Sequence, residues 1–325
     1  MTEGGRRLLA VITDDRFGDS SLERSVLEAA GVELAVAKCR SSSEVSVACR
    51  EADALLVNMA SVDAAAIDSL ERCKVISRYG VGLDNVDLEA ARRRGIAVAN
   101  VPGYCDAEVA EHALGLLLAC ARGIALRDRA VREGAWNVAA PGRRVAGTTL
   151  GILGFGGTGR AFARAARGLG FRETLIWSPR ISATRVDEAL GAPSAETGAR
   201  PAAFDEVFEL SDWVSVHLPL KPETRGIVGG RELGLMKPDA TLINISRGAV
   251  VDEEALVAAL ASGALGGAGL DVFTAEPLPK GSRLRSLPGV VLTDHSAYAS
   301  RESLAELRRK TAENALAALK AAGAA

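Results

Sequence analysis

The chain has 325 residues, room for two domains of ordinary size, and its formal charge of −2 offers no basic face to nucleic acid or to an anionic membrane. No stretch reaches the roughly 18 apolar residues of a membrane span. The five cysteines are odd in number and lack C-x-x-C spacing, which argues against a disulfide framework or a metal site and fits reduced thiols in a cytoplasmic protein.

The N-terminal MTEGGRRLLAVITDDRF places a short apolar run before Asp14 and Asp15. That run predicts a first buried strand, not a signal peptide. Strands are expected at Leu8–Thr13, Leu34–Ala37, Ala54–Asn58, Val75–Arg78 and Ala97–Asn100, with helices over Ser20–Ala30, Ala64–Leu70 and Leu88–Arg94 between them. The Pro102-Gly103 turn signal then precedes a long helix, Asp106–Arg122, apolar on most faces and therefore expected to be buried. A second series of strands follows at Leu150–Leu153, Thr174–Trp177, Trp213–His217, Thr241–Ile245 and Gly267–Leu270. A last strand, Val290–Thr293, leads into an amphipathic helix, Ser300–Ala322, with Leu304, Leu307, Ala312 and Leu316 at helical spacing. Such alternation predicts α/β architecture, two doubly wound parallel-sheet domains with the active site in a cleft between them.

Directly after the strand Leu150–Leu153 stands Gly154-Phe155-Gly156-Gly157-Thr158-Gly159, with a helical run behind it. In a strand–turn–helix setting, G-x-G-x-x-G is a dinucleotide cradle. The first glycine permits the tight turn, the second admits a pyrophosphate to the backbone, and the third packs helix on strand. A merely tight turn is the alternative, since the chain holds 34 glycines. The next strand runs into Ser178-Pro179-Arg180, with no carboxylate at its end for a ribose 2′-hydroxyl. A missing anion and an added cation favour NADP over NAD, unless Arg180 is only a solvated surface residue.

From about Ala54 to the C-terminus the chain resembles the D-isomer-specific 2-hydroxyacid dehydrogenase family. The resemblance is carried by ordered motifs: Ser77-Arg78-Tyr79-Gly80-Val81-Gly82-Leu83-Asp84-Asn85-Val86-Asp87, Glu108-Val109-Ala110-Glu111-His112, His217-Leu218-Pro219-Leu220 with Glu223-Thr224, Asn244-Ile245-Ser246-Arg247-Gly248, Val251-Asp252-Glu253, Leu270-Asp271-Val272-Phe273 with Glu276-Pro277, and Asp294-His295-Ser296-Ala297. The resemblance implies a flavodoxin-like substrate domain (residues 1–101 plus 289–325) and a Rossmann cofactor domain (102–288). It also implies a homodimer formed through the 106–144 region.

It further implies Arg247, Glu276 and His295 as catalytic residues. Backbone amides of Tyr79, Gly80, Val81 and Gly82 would hold the substrate carboxylate. Cofactor contacts carry over to Gly154, Gly156, Gly157, Thr158, Gly159, Ser178, Arg180, His217, Pro219, Thr224, Ile245, Ser246, Asp271, Ser296 and Ala297. The residue types suit the chemistry. Hydride transfer to a ketone builds charge on its oxygen, which a histidine can protonate. A carboxylate orients the imidazole, and a guanidinium forks onto a carboxylate. Singly, each has an ordinary structural explanation: an ion pair, a core histidine, a turn. His112, inside an apolar helix, is expected to be structural, and His217 to line the cofactor site without taking the proton.

Two departures stand out. Gly157 and Thr158 replace a usually large or polar residue and an aliphatic one, and Asp294 replaces a usual proline before His295. The expected activity is interconversion of a small 2-keto acid and its D-2-hydroxy acid, of glyoxylate or hydroxypyruvate type. Phosphite dehydrogenases share the three catalytic residues and remain an alternative, whereas formate dehydrogenases carry Gln at Glu276. Phosphoglycerate enzymes carry cations where this chain has Asn58-Met59-Ala60. The family's corepressors resemble His295-Ser296-Ala297-Tyr298, so a dinucleotide-sensing binding protein is the alternative of another class.

Overall fold

Five of the short apolar runs form one parallel sheet: β1 (Leu9–Ile12), β2 (Glu33–Val36), β3 (Ala54–Val57), β4 (Val75–Arg78) and β5 (Ala97–Ala99), in the order β2-β1-β3-β4-β5. The central β3, ALLV, is buried at every residue, as a parallel strand covered on both faces must be. This computed structural model describes residues 6–136 and 141–323. Residues 137–140, part of the expected 106–144 interface, lie outside the described residues. The chain divides into two units, Met1–Tyr104 with Ser300–Ala325 and Cys105–Ala299.

In the first unit the C-terminal helix Arg301–Ala321 buries Leu307, Ala312, Ala315 and Leu319. It begins with a reciprocal cap in which the Ser303 amide donates to Ser300 Oγ and the Ser300 amide to Ser303 Oγ, both 2.9 Å. Inside it, the Thr311 carbonyl accepts from Ser77 Oγ of β4 at 2.8 Å. One helix of this unit, Ser42–Ala48, has no counterpart in the sequence reading. Only Val45 of it is buried, so it shows no apolar stripe.

The second unit holds β6 (Thr149–Leu153), β7 (Glu173–Trp177), β8 (Ala199–Pro201), β9 (Trp213–Val216), β10 (Thr241–Asn244), β11 (Gly267–Leu270) and β12 (Val290–Leu292). All are parallel, in the order β12-β11-β10-β9-β6-β7-β8. Strand order reverses between β6 and β9, and the glycine-rich turn leaves β6 at this switch point, where such sheets bind ligands. The helix Asp106–Arg122 forms as expected and buries Val109, Ala110, Ala113, Leu116, Leu117 and Ala121.

The second unit departs from expectation at both edges of its sheet. Residues 289–299, assigned above to the substrate domain, lie in the second unit because β12 pairs in register with β11. The edge strand β8 was not foreseen, being three residues long and ending in Pro201, which an edge tolerates. Among the described residues no single helix is long and apolar enough to cross a membrane.

Candidate active site

Gly154 leaves β6 at φ +95, and a Cβ there would stand 2.7 Å from the His217 carbonyl oxygen. Only glycine fits that turn. A Cβ on Gly159 would fall on the Gly154 carbonyl, whereas the Cβ position of Gly156 meets nothing within 4 Å. The backbone is therefore tight where it packs and open where a pyrophosphate is to approach. Helix Gly157–Ala166 starts there, so its unpaired first-turn amides complete an anion cradle around Gly157 and Thr158. The local geometry fits a dinucleotide.

His217 is buried beside this turn. Its Nε2 lies 2.9 Å from Ser215 Oγ and its ring centroid 4.9 Å from that of Phe162. Burial pushes its pKa down to about 3, so the ring is neutral and takes no proton near neutrality. Its Nδ1 is buried without a hydrogen-bond partner among the described residues, as beside a site meant for a ligand. Thr224 Oγ1 donates to the Pro219 carbonyl at 2.6 Å and accepts from the Lys221 amide at 2.8 Å, which folds the 217–224 loop into one compact turn. After β7, Ser178 is half-buried and Arg180 exposed, and the Arg180 carbonyl accepts from Arg185 Nη1 at 2.9 Å.

The three expected catalytic residues also belong to the second unit, and two of them touch. His295 Nδ1 and Glu276 Oε2 are 2.6 Å apart. Glu276 Oε1 accepts from the Phe273 amide at 2.9 Å, and the Glu276–Pro277 peptide is cis. Burial alone would raise the Glu276 carboxyl. The hydrogen bonds from His295 and Phe273, with the charges of His295 and Arg247, outweigh it and hold the carboxyl below the usual glutamate range.

Arg247 follows Ile245 and Ser246 at the end of β10. Asn244 Nδ2 donates to the Arg247 carbonyl at 3.1 Å, and its Oδ1 accepts from the Ser246 amide and hydroxyl at 3.1 and 3.0 Å. A Cβ on Gly248 would fall on the Phe273–Thr274 peptide. The arginine loop and the glutamate loop therefore pack backbone to backbone, and the Thr274 amide donates to Glu253 Oε2 at 2.9 Å.

Asp271 was expected to contact the cofactor. It has no exposed surface, so its effect passes through the residues it holds. Its oxygens accept from Thr293 Oγ1 (2.6 Å) and from the amides of Ser296 and Ala297 (2.9 Å each), and His112 Nε2 lies 3.4 Å away. Burial opposes ionisation, but His112, Thr293 and the two amides hold the carboxyl down at about 2. His112 thus has the structural place expected of it, also lying 2.9 Å from Thr293 Oγ1. Asp294 is exposed, so its carboxylate faces solvent.

In the first unit, β4 runs into Tyr79, Gly80 (φ +135), Val81 and Gly82. The Gly80 carbonyl accepts from the Val101 amide at 2.9 Å and the Val81 carbonyl from Asn100 Nδ2 at 2.7 Å. Beneath the loop lies a buried network that no motif announced. Tyr79 Oη donates to Glu23 Oε1 at 3.0 Å, and Arg308 forks onto the same carboxylate at 2.9 and 2.8 Å. The Phe17 ring stacks edge-on to Tyr79 and under the Arg308 guanidinium. The neighbouring Asn58–Ser61 loop is fixed by Asp14, which accepts from the Asn58 and Met59 amides, and by Asn85, which donates to the Asn58 and Ala60 carbonyls.

The model for the D-isomer specific 2-hydroxyacid dehydrogenase, NAD binding domain, matches residues 114–297. A glyoxylate reductase of Korarchaeum cryptofilum is 39% identical over 274 residues, covering 82% of this chain and 80% of that one. A D-3-phosphoglycerate dehydrogenase of Synechocystis is 37% identical over 84% of this chain but only 48% of its own length. Among solved structures, a glyoxylate reductase from Paecilomyes thermophila superposes with a TM-score of 0.86 at 29% identity, covering 97% of this chain and 96% of that one.

Proposed function

This chain belongs to the D-isomer-specific 2-hydroxyacid dehydrogenases, nicotinamide-dependent oxidoreductases acting on a CH–OH donor, and we propose that it reduces glyoxylate or a similarly small 2-keto acid. The observation that carries this reading is the 2.6 Å pair of His295 Nδ1 and Glu276 Oε2, with the Arg247 charge acting on the same carboxylate. The nicotinamide, when bound, supplies the hydride.

As charge builds on the substrate carbonyl oxygen, His295 delivers a proton to it from Nε2, because Nδ1 is committed to Glu276. Glu276 fixes the ring's tautomer and stabilises the imidazolium before transfer. Arg247 clamps the substrate carboxylate and polarises its ketone. Within the first unit, the amides of Tyr79, Gly80, Val81 and Gly82 are donors suited to a carboxylate. In the oxidative direction His295 takes the proton back.

On the cofactor side, Gly154 to Gly159 receive the pyrophosphate, and His217, Pro219, Thr224, Ile245, Ser246, Ser296 and Ala297 border the nicotinamide half. Ser178 with Arg180 favours a 2′-phosphate, hence NADPH over NADH. The five cysteines, all buried or half-buried and none in a disulfide, support a cytoplasmic location. The exposed apolar side chains of helix Ile124–Arg132 support a homodimer.

The test is turnover by the purified protein of glyoxylate, hydroxypyruvate, pyruvate, 3-phosphoglycerate and phosphite with each cofactor. Highest kcat/KM for glyoxylate or hydroxypyruvate supports the reading. Preferential turnover of 3-phosphoglycerate or phosphite refutes it, and inertness toward every 2-keto acid leaves the binding-protein alternative.

A further inference from the structure

The unusual glycine at position 157 has a counterpart in space. A Cβ built on Gly157 would collide with the Asp106 carboxylate, whose Cγ and Oδ1 lie 2.8 Å from that point. Asp106 therefore occupies the room that a side chain at 157 would fill. It is the first residue of helix Asp106–Arg122, half-buried, and Gly157 is the first residue of helix Gly157–Ala166. Burial pushes the Asp106 carboxyl up, Arg160 and Arg164 pull it down, and Glu108 adds a further push up.

The end of helix Gly157–Ala166 is electropositive, and its free amides attract anions. The Asp106 carboxylate packs against the start of that helix, over Gly157. It also places negative charge where a pyrophosphate brings its own. We propose that Asp106 is an affinity-setting residue for the dinucleotide, its charge offsetting the attraction of the helix end and of Arg160 and so loosening cofactor binding. The inference rests on the cofactor site proposed above.

Binding of NADH and of adenosine to purified wild type, Asp106→Asn and Asp106→Thr, measured by calorimetry, tests it. Each variant removes the charge, and the second guards against the amide disturbing the helix start. Both should bind NADH about three- to tenfold more tightly than wild type at low salt, the range of a charge at a helix end. The gap should close at high salt, and adenosine, lacking phosphate, should bind all three alike. An NADH Kd that is unchanged or weaker in the variants overturns the role of Asp106 while leaving the cofactor site intact. A wild type that binds no dinucleotide overturns both.

Discussion

At position 295 a left-handed backbone and a proton-carrying side chain are needed together. His295 sits at φ +56, a region that costs a non-glycine residue about 1–3 kcal/mol. The Asp271 carbonyl, which accepts the His295 amide at 2.9 Å, and the Asp271 carboxylate, which takes the next two amides, hold it there. Asn tolerates this backbone better than Ala does, so His295→Asn isolates the chemistry from the turn. Its kcat should fall by about 10²–10⁴, the weight of a positioned acid/base, with NADH affinity unchanged. Near-wild-type turnover at pH 7 would remove His295 from the mechanism.

The pH dependence of the pair follows from Glu276. Its folded carboxyl titrates below the unfolded value of about 4.3. The pair therefore contributes stability above that pH and loses it as pH falls through the lower folded value. Glu276→Gln, which cannot ionise, should flatten this part of the stability curve. Melting curves that fall in parallel for both proteins below about pH 4.3 would contradict the assignment. The contact proposed for Arg180 with a 2′-phosphate, worth about 1.5–3 kcal/mol, would correspond to roughly 10- to 150-fold discrimination, with exposure pulling it to the lower end. Arg180→Ala should raise KM for NADPH and leave NADH nearly untouched. Better use of NADH than NADPH by wild type at low salt would show that Arg180 serves only the surface.

Among the elements, the Tyr79–Gly82 loop and its support show what the sequence displays and what it hides. The Tyr79–Gly82 and Arg247 loops enter the sequence reading as local motifs of the family resemblance, and the structure puts each directly after a strand. The network beneath the first loop was not legible, because Glu23 and Arg308 are 285 positions apart and neither belongs to a motif. The Ser42–Ala48 helix was missed for a related reason, burying one residue where pattern reading needs a stripe. Asp271 was legible as a motif member but not as a fully buried pin, since its partners come from two separate segments, His112 and residues 293–297.

Glu23 and Arg308 are themselves nearly inaccessible, with side chains 1% and 11% exposed. Glu23→Ala leaves the buried guanidinium with only Asp19 as an acidic partner and should cost about 3 kcal/mol, the lower end for a broken buried pair, read as a lowered Tm. Tyr79→Phe removes only the hydroxyl. It should raise KM for the keto acid severalfold with kcat little changed, since the role proposed for the loop is to bind carboxylate and not to share in proton transfer. Equal losses in kcat and kcat/KM would place Tyr79 in the chemical step instead.

For the whole molecule, helix Ile124–Arg132 poses the sharpest question. Among its described residues none is buried, and Ile124, Leu126 and Val131 are each more than half exposed, with Trp136 just beyond at 79%. Residues 124 and 131 share one side of the helix, and 126 lies on another, so no single packing surface of its own chain covers them. A nine-residue helix is marginal in water without a partner, and exposed apolar clusters of this kind mark interaction surfaces. The cover proposed above is a second copy of the chain, which closed two-fold symmetry would supply. Leu126→Asp with Val131→Asp should therefore shift the protein from dimer to monomer in sedimentation at micromolar concentration, and Trp136→Asp should act in the same direction. Both units fold around their own sheets, each with its own buried core, so the separated chain should keep its far-ultraviolet dichroism. A wild type that sediments as a monomer would refute the dimer and leave the helix to a different partner.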